Sequence, residues 1–334
     1  MKVLINVIGS NGKLGYNAAG KAKSDADHTL TENNYIRYNI LFRRDLPKSL
    51  ATALNIKDII KLCIKLKLSK PEDIIIQYPG MGIGTRSISL ISKLLRKQPL
   101  TLLIHDIDSL RYFGEISDRE KKILNNASSL IVHTENMKSY LIHNNITTKM
   151  RVMELFDYYA KGQLQDWTPS FPYSLVFAGN LEKSKFLQDI GNKLAPHILY
   201  LYGVKVDTNW NNGLIYEGKF EPDCINDIKG DWGLVWDGDS TDTCTGRVGD
   251  YLKYNSSHKA SLYLASGKPL IVWSKSALAE IVKKYNVGIT VDSINEIPEH
   301  LKSIDMETYQ EIRKNITAIT AKLRTGGFLK SVLN

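Results

Sequence analysis

YNSSHKASLYLASGKPLIVW (254–273) packs a helix start, a helix, a stop and a buried strand into one short stretch. Asn255, Ser256 and Ser257 all favour a helix N-cap, so a helix is expected to begin beside Ser257. Gly267 and Pro269 end it and turn the chain into the apolar run PLIVW (269–273). A helix leading into a strand buried on both faces is half of a βαβ unit, the building block of parallel sheets. Lys259 is out of place here. It falls in the first turn, at the positive end of the helix dipole, where an exposed cation costs about 0.3–1 kcal/mol. Either its stem carries the charge away into solvent, or an anion shares the site, held by the cation and by free N–H groups together.

The same rhythm runs outward in both directions. Toward the N-terminus the apolar runs are KVLINVI (2–8), YNILF (38–42), DIIIQY (73–78), LTLLIHDI (100–107), SLIVHT (129–134) and RVMELF (151–156). Helical patterns at 55–68, 85–97, 117–126 and 135–144 separate them. Asp157 to Pro172 is polar, holds two prolines and reads as a linker. A second series follows, at 174–179, 197–203, 214–220, 232–238, 269–273 and 288–291, and a long helix is expected at 306–325. The expected fold class is α/β, with two Rossmann-like domains facing a central cleft. Ligands in such sheets bind beyond the carboxyl ends of the strands.

The bulk composition agrees with two cores. The chain has 334 residues, 43% apolar and 24% charged, and a formal charge of +9. That charge favours anionic partners such as nucleotides, phosphorylated substrates or an anionic membrane face. Nucleic acid is not expected, because no aromatic-and-basic motif accompanies the charge. Cys63, Cys224 and Cys244 stand far apart without CxxC spacing, which argues against a disulfide framework or zinc site and for a cytoplasmic protein. No stretch approaches the ~20 apolar residues of a membrane span.

Four further constellations carry chemistry. GSNGKLG (9–15) spaces Gly9, Gly12 and Gly15 as in nucleotide-binding turns, and Arg43 and Arg44 follow the next strand, an arrangement able to hold a dinucleotide phosphate. No Tyr-x-x-x-Lys accompanies it, as a short-chain-type reductase would require. In LLIHDIDSLRYF (102–113), His105, Asp106 and Asp108 emerge at a strand end, where imidazole and carboxylate can act as general base or the carboxylates can cap the next helix. Asp237, Asp239 and Asp242 in WDGDSTDTCTG (236–246) match no complete hard-cation loop and read as a solvated turn. DIIKLCIKLKL (58–68) and RSISLISKLLRK (86–97) are basic and amphipathic, so they either face anionic lipid or pack on the sheet with a solvated lysine face.

WGLVWDGDS (232–240) followed by YLKYNSSHKASLYLASGKPLIVW (251–273) resembles the donor-binding half of a set of bacterial GT-B glycosyltransferases. The set comprises β-1,6-galactofuranosyltransferases of surface-polysaccharide assembly and the glucosyltransferases that extend the glycan on serine-rich repeat adhesins. FAGNLEKSKFL (177–187) is similar to the segment opening the family's second domain, and LLIHD (102–106) to its N-terminal cleft strand. The resemblance covers most of the chain and is strongest from 174 to 291. It implies transfer of a hexosyl group (galactofuranose, glucose or galactose) from a UDP-sugar to a saccharide on lipid or protein. Transfer is expected to be metal-independent and inverting, with no cofactor beyond the donor. The implied donor-binding residues are Gly179, Asn180, Lys183, Phe220, Asp237, His258 and Lys259. Relatives can carry arginine at Lys183 and tyrosine at Phe220, which keeps the charge and the ring. Asp106, with His105 as neighbouring alternative, is the expected base; Asp108 and Glu154 stay open. Gly9, Ser10, Asn11 and Tyr16 are expected on the acceptor side. Residues 1–157 would form the acceptor domain, 158–172 the linker, 173–305 the donor domain, and 306–334 a C-terminal helix and tail returning toward the first domain. A peripheral contact with the inner face of the cell membrane and self-association both remain open. The competing functions are an NADP-dependent reductase built on the glycine loop and a non-catalytic nucleotide- or glycan-binding protein.

Overall fold

A computed structural model describes residues 1–9, 18–43, 46–80, 84–164, 168–204, 210 and 213–333. The chain divides into two units, Met1–Glu154 with Leu329–Asn334, and Leu155–Phe328.

The first unit runs β1 (Lys2–Gly9), α1 (Ala18–Glu32), β2 (Tyr35–Phe42), α2 (Lys48–Ser69), β3 (Asp73–Tyr78), α3 (Gly84–Leu94), β4 (Leu100–Ile104), α4 (Asp108–Phe113), α5 (Asp118–Asn126), β5 (Ser129–Val132), α6 (Glu135–His143) and β6 (Lys149–Val152). Its six strands are all parallel, in the order β2-β1-β3-β4-β5-β6. Strands β3, β4 and β5 are buried along their whole length, as helices on both faces require. Right-handed crossovers put α1 on one face and α2, α3, α5 and α6 on the other. Accordingly α2 packs beside α3, and α3 beside α5. On the α1 face, Lys330 of the returning tail meets Glu32 at 2.9 Å.

The second unit runs β7 (Leu175–Ala178), α7 (Phe186–Asp189), β8 (Leu199–Tyr202), β9 (Leu214–Gly218), β10 (Trp232–Val235), α8 (Gly246–Tyr251), α9 (His258–Ala265), β11 (Leu270–Trp273), α10 (Leu278–Tyr285), β12 (Gly288–Val291), α11 (Ile297–Lys302) and α12 (Met306–Arg324), with a short α13 (Gly327–Lys330) after it. This parallel sheet has the order β12-β11-β10-β7-β8-β9, the doubly wound arrangement. Every apolar run named from the sequence overlaps a strand, and the architecture is the expected pair of Rossmann-like sheets.

Boundaries depart from the sequence reading where polar chemistry intervenes. LTLLIHDI stops being a strand at Ile104, which leaves His105 and Asp106 outside the ladder. The sixth strand is Lys149–Val152 rather than 151–156, and Glu154 beyond it adopts φ 73, which no strand continues through. Neither Asp106 nor Asp108 caps α4: its N-cap is Ile107, without a side-chain bond. The segment after Glu154 is tied into the second unit. Asp157 accepts from Phe328 N at 2.9 Å, and Tyr158 N donates to Leu323 O at 3.0 Å.

Candidate active site

The second sheet reverses its winding between β7 and β10, because the chain builds β8 and β9 on one side and returns to build β10, β11 and β12 on the other. Loops leaving the two strands there diverge and open a crevice at their carboxyl ends. Strand β10 meets β7 only at Trp232↔Leu175 and Gly233↔Val176. Past that point the Ala178 N–H donates instead to the Tyr263 hydroxyl of α9, at 2.8 Å. Tyr263 fits because Gly233 lacks a side chain; a Cβ there would lie 2.2 Å from the ring. This contact seats α9 on the sheet.

At the head of that helix Lys259 is turned inward, not outward. Its Nζ donates to the Trp236 carbonyl at 3.0 Å and to Asp237 Oδ1 at 2.9 Å, both just past β10. The ammonium lies 4.6 Å from the Phe177 ring centroid, and the stem passes 3.8 Å from where a Cβ on Gly179 would be. Lys259 therefore bridges the loops that leave β7 and β10, with 15% of its side chain exposed. Ser257 occupies the N-cap in extended geometry, yet its hydroxyl makes no cap bond. The other end of α9 is closed off: Thr320 Oγ1 donates to Leu264 O at 2.6 Å and Arg324 Nε to Ala265 O at 2.9 Å. A cation at that negative end offsets part of the cost of Lys259 at the positive one.

Around this centre the other expected donor residues are spread more widely. His258 stacks on Tyr158 (centroids 5.0 Å apart) and meets Phe156 edge-on. The Asn180 side chain closes its own turn by accepting from Lys183 N at 3.0 Å, and the Lys183 side chain is exposed. Phe220 packs edge-on against Tyr202, 5.5 Å between centroids, beyond the end of β8. The structure thus gathers Gly179, Asp237 and Lys259 into one cluster and puts His258 beside it. The acidic loop does not converge: Asp239 is exposed, and Asp242 accepts from Asn295 Nδ2 at 2.9 Å. Among the described residues no three His, Cys, Asp or Glu side chains are arranged to hold a metal ion.

The first unit holds a second polar cluster at the carboxyl ends of β3 and β4. His105 N donates to Tyr78 O at 2.6 Å, which fixes the backbone at the strand exit. Gln77 Nε2 donates to Asp27 Oδ1 at 2.6 Å and to Lys23 O at 3.1 Å. Both are acceptors, so the amide oxygen faces His105, and Nε2 of His105, 2.6 Å away, carries the proton. In the neutral ring Nδ1 then holds the lone pair. Asp106 is ion-paired with Arg111 at 2.7 Å. Asp108 has no hydrogen-bond partner among the described residues, and burial, helped by Glu120, pushes its carboxyl upward against the pull of Arg111 and Lys23. Burial also raises Asp27 to about 6 and lowers the Lys23 ammonium to about 8. Glu120 is anchored by Tyr78 Oη at 2.6 Å and by Ser109 N at 2.9 Å. Glu154 is placed elsewhere, at the end of β5 and β6, with its N–H on His133 O at 2.8 Å.

Lys23, Asp27, Gln77 and Arg111 escaped the sequence reading. Gln77 had a signal, as the one uncharged polar residue within the fully buried run DIIIQY. Of the acceptor-side residues and the glycine loop, Gly9 ends β1, while Ser10, Asn11, Gly12, Gly15 and Tyr16, like Arg44, lie outside the described residues. Arg43 is committed to Asp58 at 2.7 Å and Asn55 at 3.1 Å.

Comparison with known proteins places both units in one family. Residues 2–155 match the N-terminal domain, and residues 175–334 the C-terminal domain, of the glucosyltransferase 3-like family. The chain is 34% identical over 273 residues to the β-1,6-galactofuranosyltransferase WbbI of Escherichia coli K12, covering 80% of this chain and 79% of that protein. It is 27% identical to glucosyltransferase 3 of Streptococcus gordonii, over 78% and 77% of the two chains. Among solved structures, T4 phage BGT in complex with UDP-glucose superposes with a TM-score of 0.56 at 11% identity, covering 99% of this chain and 98% of the other; at that identity the likeness is one of fold.

Proposed function

Because this chain belongs to the glucosyltransferase 3-like family of glycosyltransferases, we propose that its second unit binds a UDP-hexose at the β7/β10 crevice and that its first unit supplies the general base. The observation that carries the reading is Lys259, held by Asp237 and the Trp236 carbonyl at the head of a helix whose N-cap hydroxyl makes no cap bond. When the anomeric bond breaks, negative charge builds on the departing diphosphate. A cation and helix N–H groups fixed beforehand bind that state more strongly than the ground state. Phe220 and Tyr202 offer rings to the uracil, and Gly179 leaves room for the diphosphate beside Lys259.

In one inverting displacement the acceptor oxygen attacks the anomeric carbon, the bond to the diphosphate breaks, and UDP leaves. The proton of the acceptor hydroxyl passes to Asp106. Arg111 holds that carboxylate in place at 2.7 Å, and His105 stands next to it in a fixed tautomer. Asp108 is the alternative base, favoured by its raised pKa. The similarity to WbbI and to glucosyltransferase 3 supports galactofuranose or glucose as the sugar and a saccharide as the acceptor. It leaves the reductase reading unfavoured.

The test is calorimetric titration of UDP and, separately, NADPH into the wild type and Lys259→Ala. UDP should bind the wild type and weaken at least tenfold, about 1.4 kcal/mol, in the variant. Heat from NADPH with none from UDP would overturn the reading. Release of UDP from UDP-galactofuranose, UDP-galactose and UDP-glucose then identifies the sugar.

A further inference from the structure

Helix α2 carries two apolar stripes. One, formed by Ala51, Ile59, Cys63 and Leu66, is buried. The other, Leu50, Ile56, Ile60, Ile64 and Leu68, is exposed, reaching 53% at Ile64 and 79% at Leu68. At 3.6 residues per turn these five side chains span about 120° of the helix circumference and about 27 Å of its length. A sheet-packing helix needs only the first stripe, so the second is surplus to the fold.

Charge is distributed around this surplus stripe in one sign. Lys57 and Lys67 project within its arc and Lys61 and Lys65 along one flank, while the single acid of the helix, Asp58, is paired with Arg43 at 2.7 Å. Lys65 also reaches over Tyr38 of edge strand β2, at 4.8 Å from the ring centroid. Ile36, two residues earlier on the same face of β2 and 51% exposed, widens the apolar patch. Farther along the same face of the sheet, α3 and α5 frame a groove lined by Lys93, Arg96, Lys121 and Lys122, with Asp118 the one acid among its lining residues.

We propose that this face of the first unit docks on an anionic lipid bilayer. The isoleucines and leucines enter the boundary between headgroups and acyl chains, and the lysines and arginine lie among the lipid phosphates. A solvated helix face does not account for an apolar row of this length with cations along it. A second copy fits worse. A two-fold interface sets the patch against itself, lysine row against lysine row, whereas an anionic bilayer complements both the apolar stripe and the charge. No helix among the described residues is long and apolar enough to cross a membrane, so the attachment is interfacial. This proposal does not depend on the identity of the donor.

The full chain is sedimented with vesicles of phosphatidylcholine alone and of phosphatidylcholine mixed with phosphatidylglycerol. The wild type should bind the anionic vesicles about tenfold better, and high salt should weaken that binding. Ile64→Glu/Leu68→Glu and, separately, Lys57→Glu/Lys61→Glu should each lower it about tenfold, with thermal unfolding and UDP binding unchanged. Equal binding to both vesicle types, or full binding by the Ile64→Glu/Leu68→Glu variant, overturns the proposal. So does a wild type that ignores vesicles but sediments as a dimer that Ile64→Glu/Leu68→Glu splits.

Discussion

Gly233 and Tyr263 are fitted to each other: the bare backbone of a central strand receives the ring of a helix residue at a separation that would leave 2.2 Å to any Cβ. Gly233→Ala is expected to cost about 1–3 kcal/mol, since neither backbone nor ring can yield without moving α9. Thermal unfolding measures that loss. Calorimetry should also record weaker UDP binding, because a displaced α9 carries Lys259 with it. Tyr263→Phe, which removes only the hydroxyl that accepts from Ala178 N, should cost about 1 kcal/mol and keep the site assembled.

Asp237 partly neutralises Lys259 from 2.9 Å away. Asp237→Asn removes a charge of the same sign as the diphosphate and leaves the ammonium in place. UDP should then bind more tightly, by about three- to tenfold, with a steeper dependence on ionic strength. Titration at two salt concentrations reads both effects. Weaker binding in this variant would mean that Asp237 acts chiefly by orienting Lys259.

Asp106→Asn should lower kcat by about a hundredfold or more while leaving UDP affinity near the wild-type value. Asp108→Asn is the control. If it is the variant that loses turnover, the base is the carboxylate with raised pKa rather than the one paired with Arg111.

Asp27 makes stability depend on pH in a defined direction. Its folded pKa of about 6 exceeds the ordinary carboxylate value, so between about pH 4 and 6 the native chain keeps a proton that the unfolded chain has lost. Stability therefore falls as pH rises through that window, and the whole penalty, up to about 3 kcal/mol, is present above it. Asp27→Asn keeps an oxygen for Gln77 and should flatten this slope in unfolding midpoints taken from pH 4 to 7.

The strands were legible because parallel strands buried on both faces read as continuous apolar runs, as DIIIQY and LIVW do. Helix α1 was harder to read. Its inward positions include Ala22, Ala26 and Leu30, but also Lys21, Lys23, Asp25 and Asp27, so apolar periodicity understates its burial. The odd placement of Lys259 was visible in one helical turn, whereas its partner Asp237 lies 22 residues away and is found only through the sheet. The contacts joining Asp27, Gln77 and His105 cross from a helix to a strand and to the loop leaving the next one, and no local pattern encodes them. The exposed stripe of α2 was present in the spacing of Ile56, Ile60, Ile64 and Leu68, but periodicity alone does not say which of two apolar stripes faces inward.

The clamp on α9 divides the proposed donor site into a fixed part and an exchangeable one. Tyr263 on Gly233, with Thr320 and Arg324 at the far end, ties the cationic head of the helix to the sheet and to α12. Phe220, by contrast, stands on the connection after β9, against Tyr202 at the end of β8. Exchanging residues 219–221 for those of a relative therefore offers a route to a different donor, because the grafted segment replaces ring contacts and spares Asn226, which Arg324 of the anchor holds at 3.2 Å.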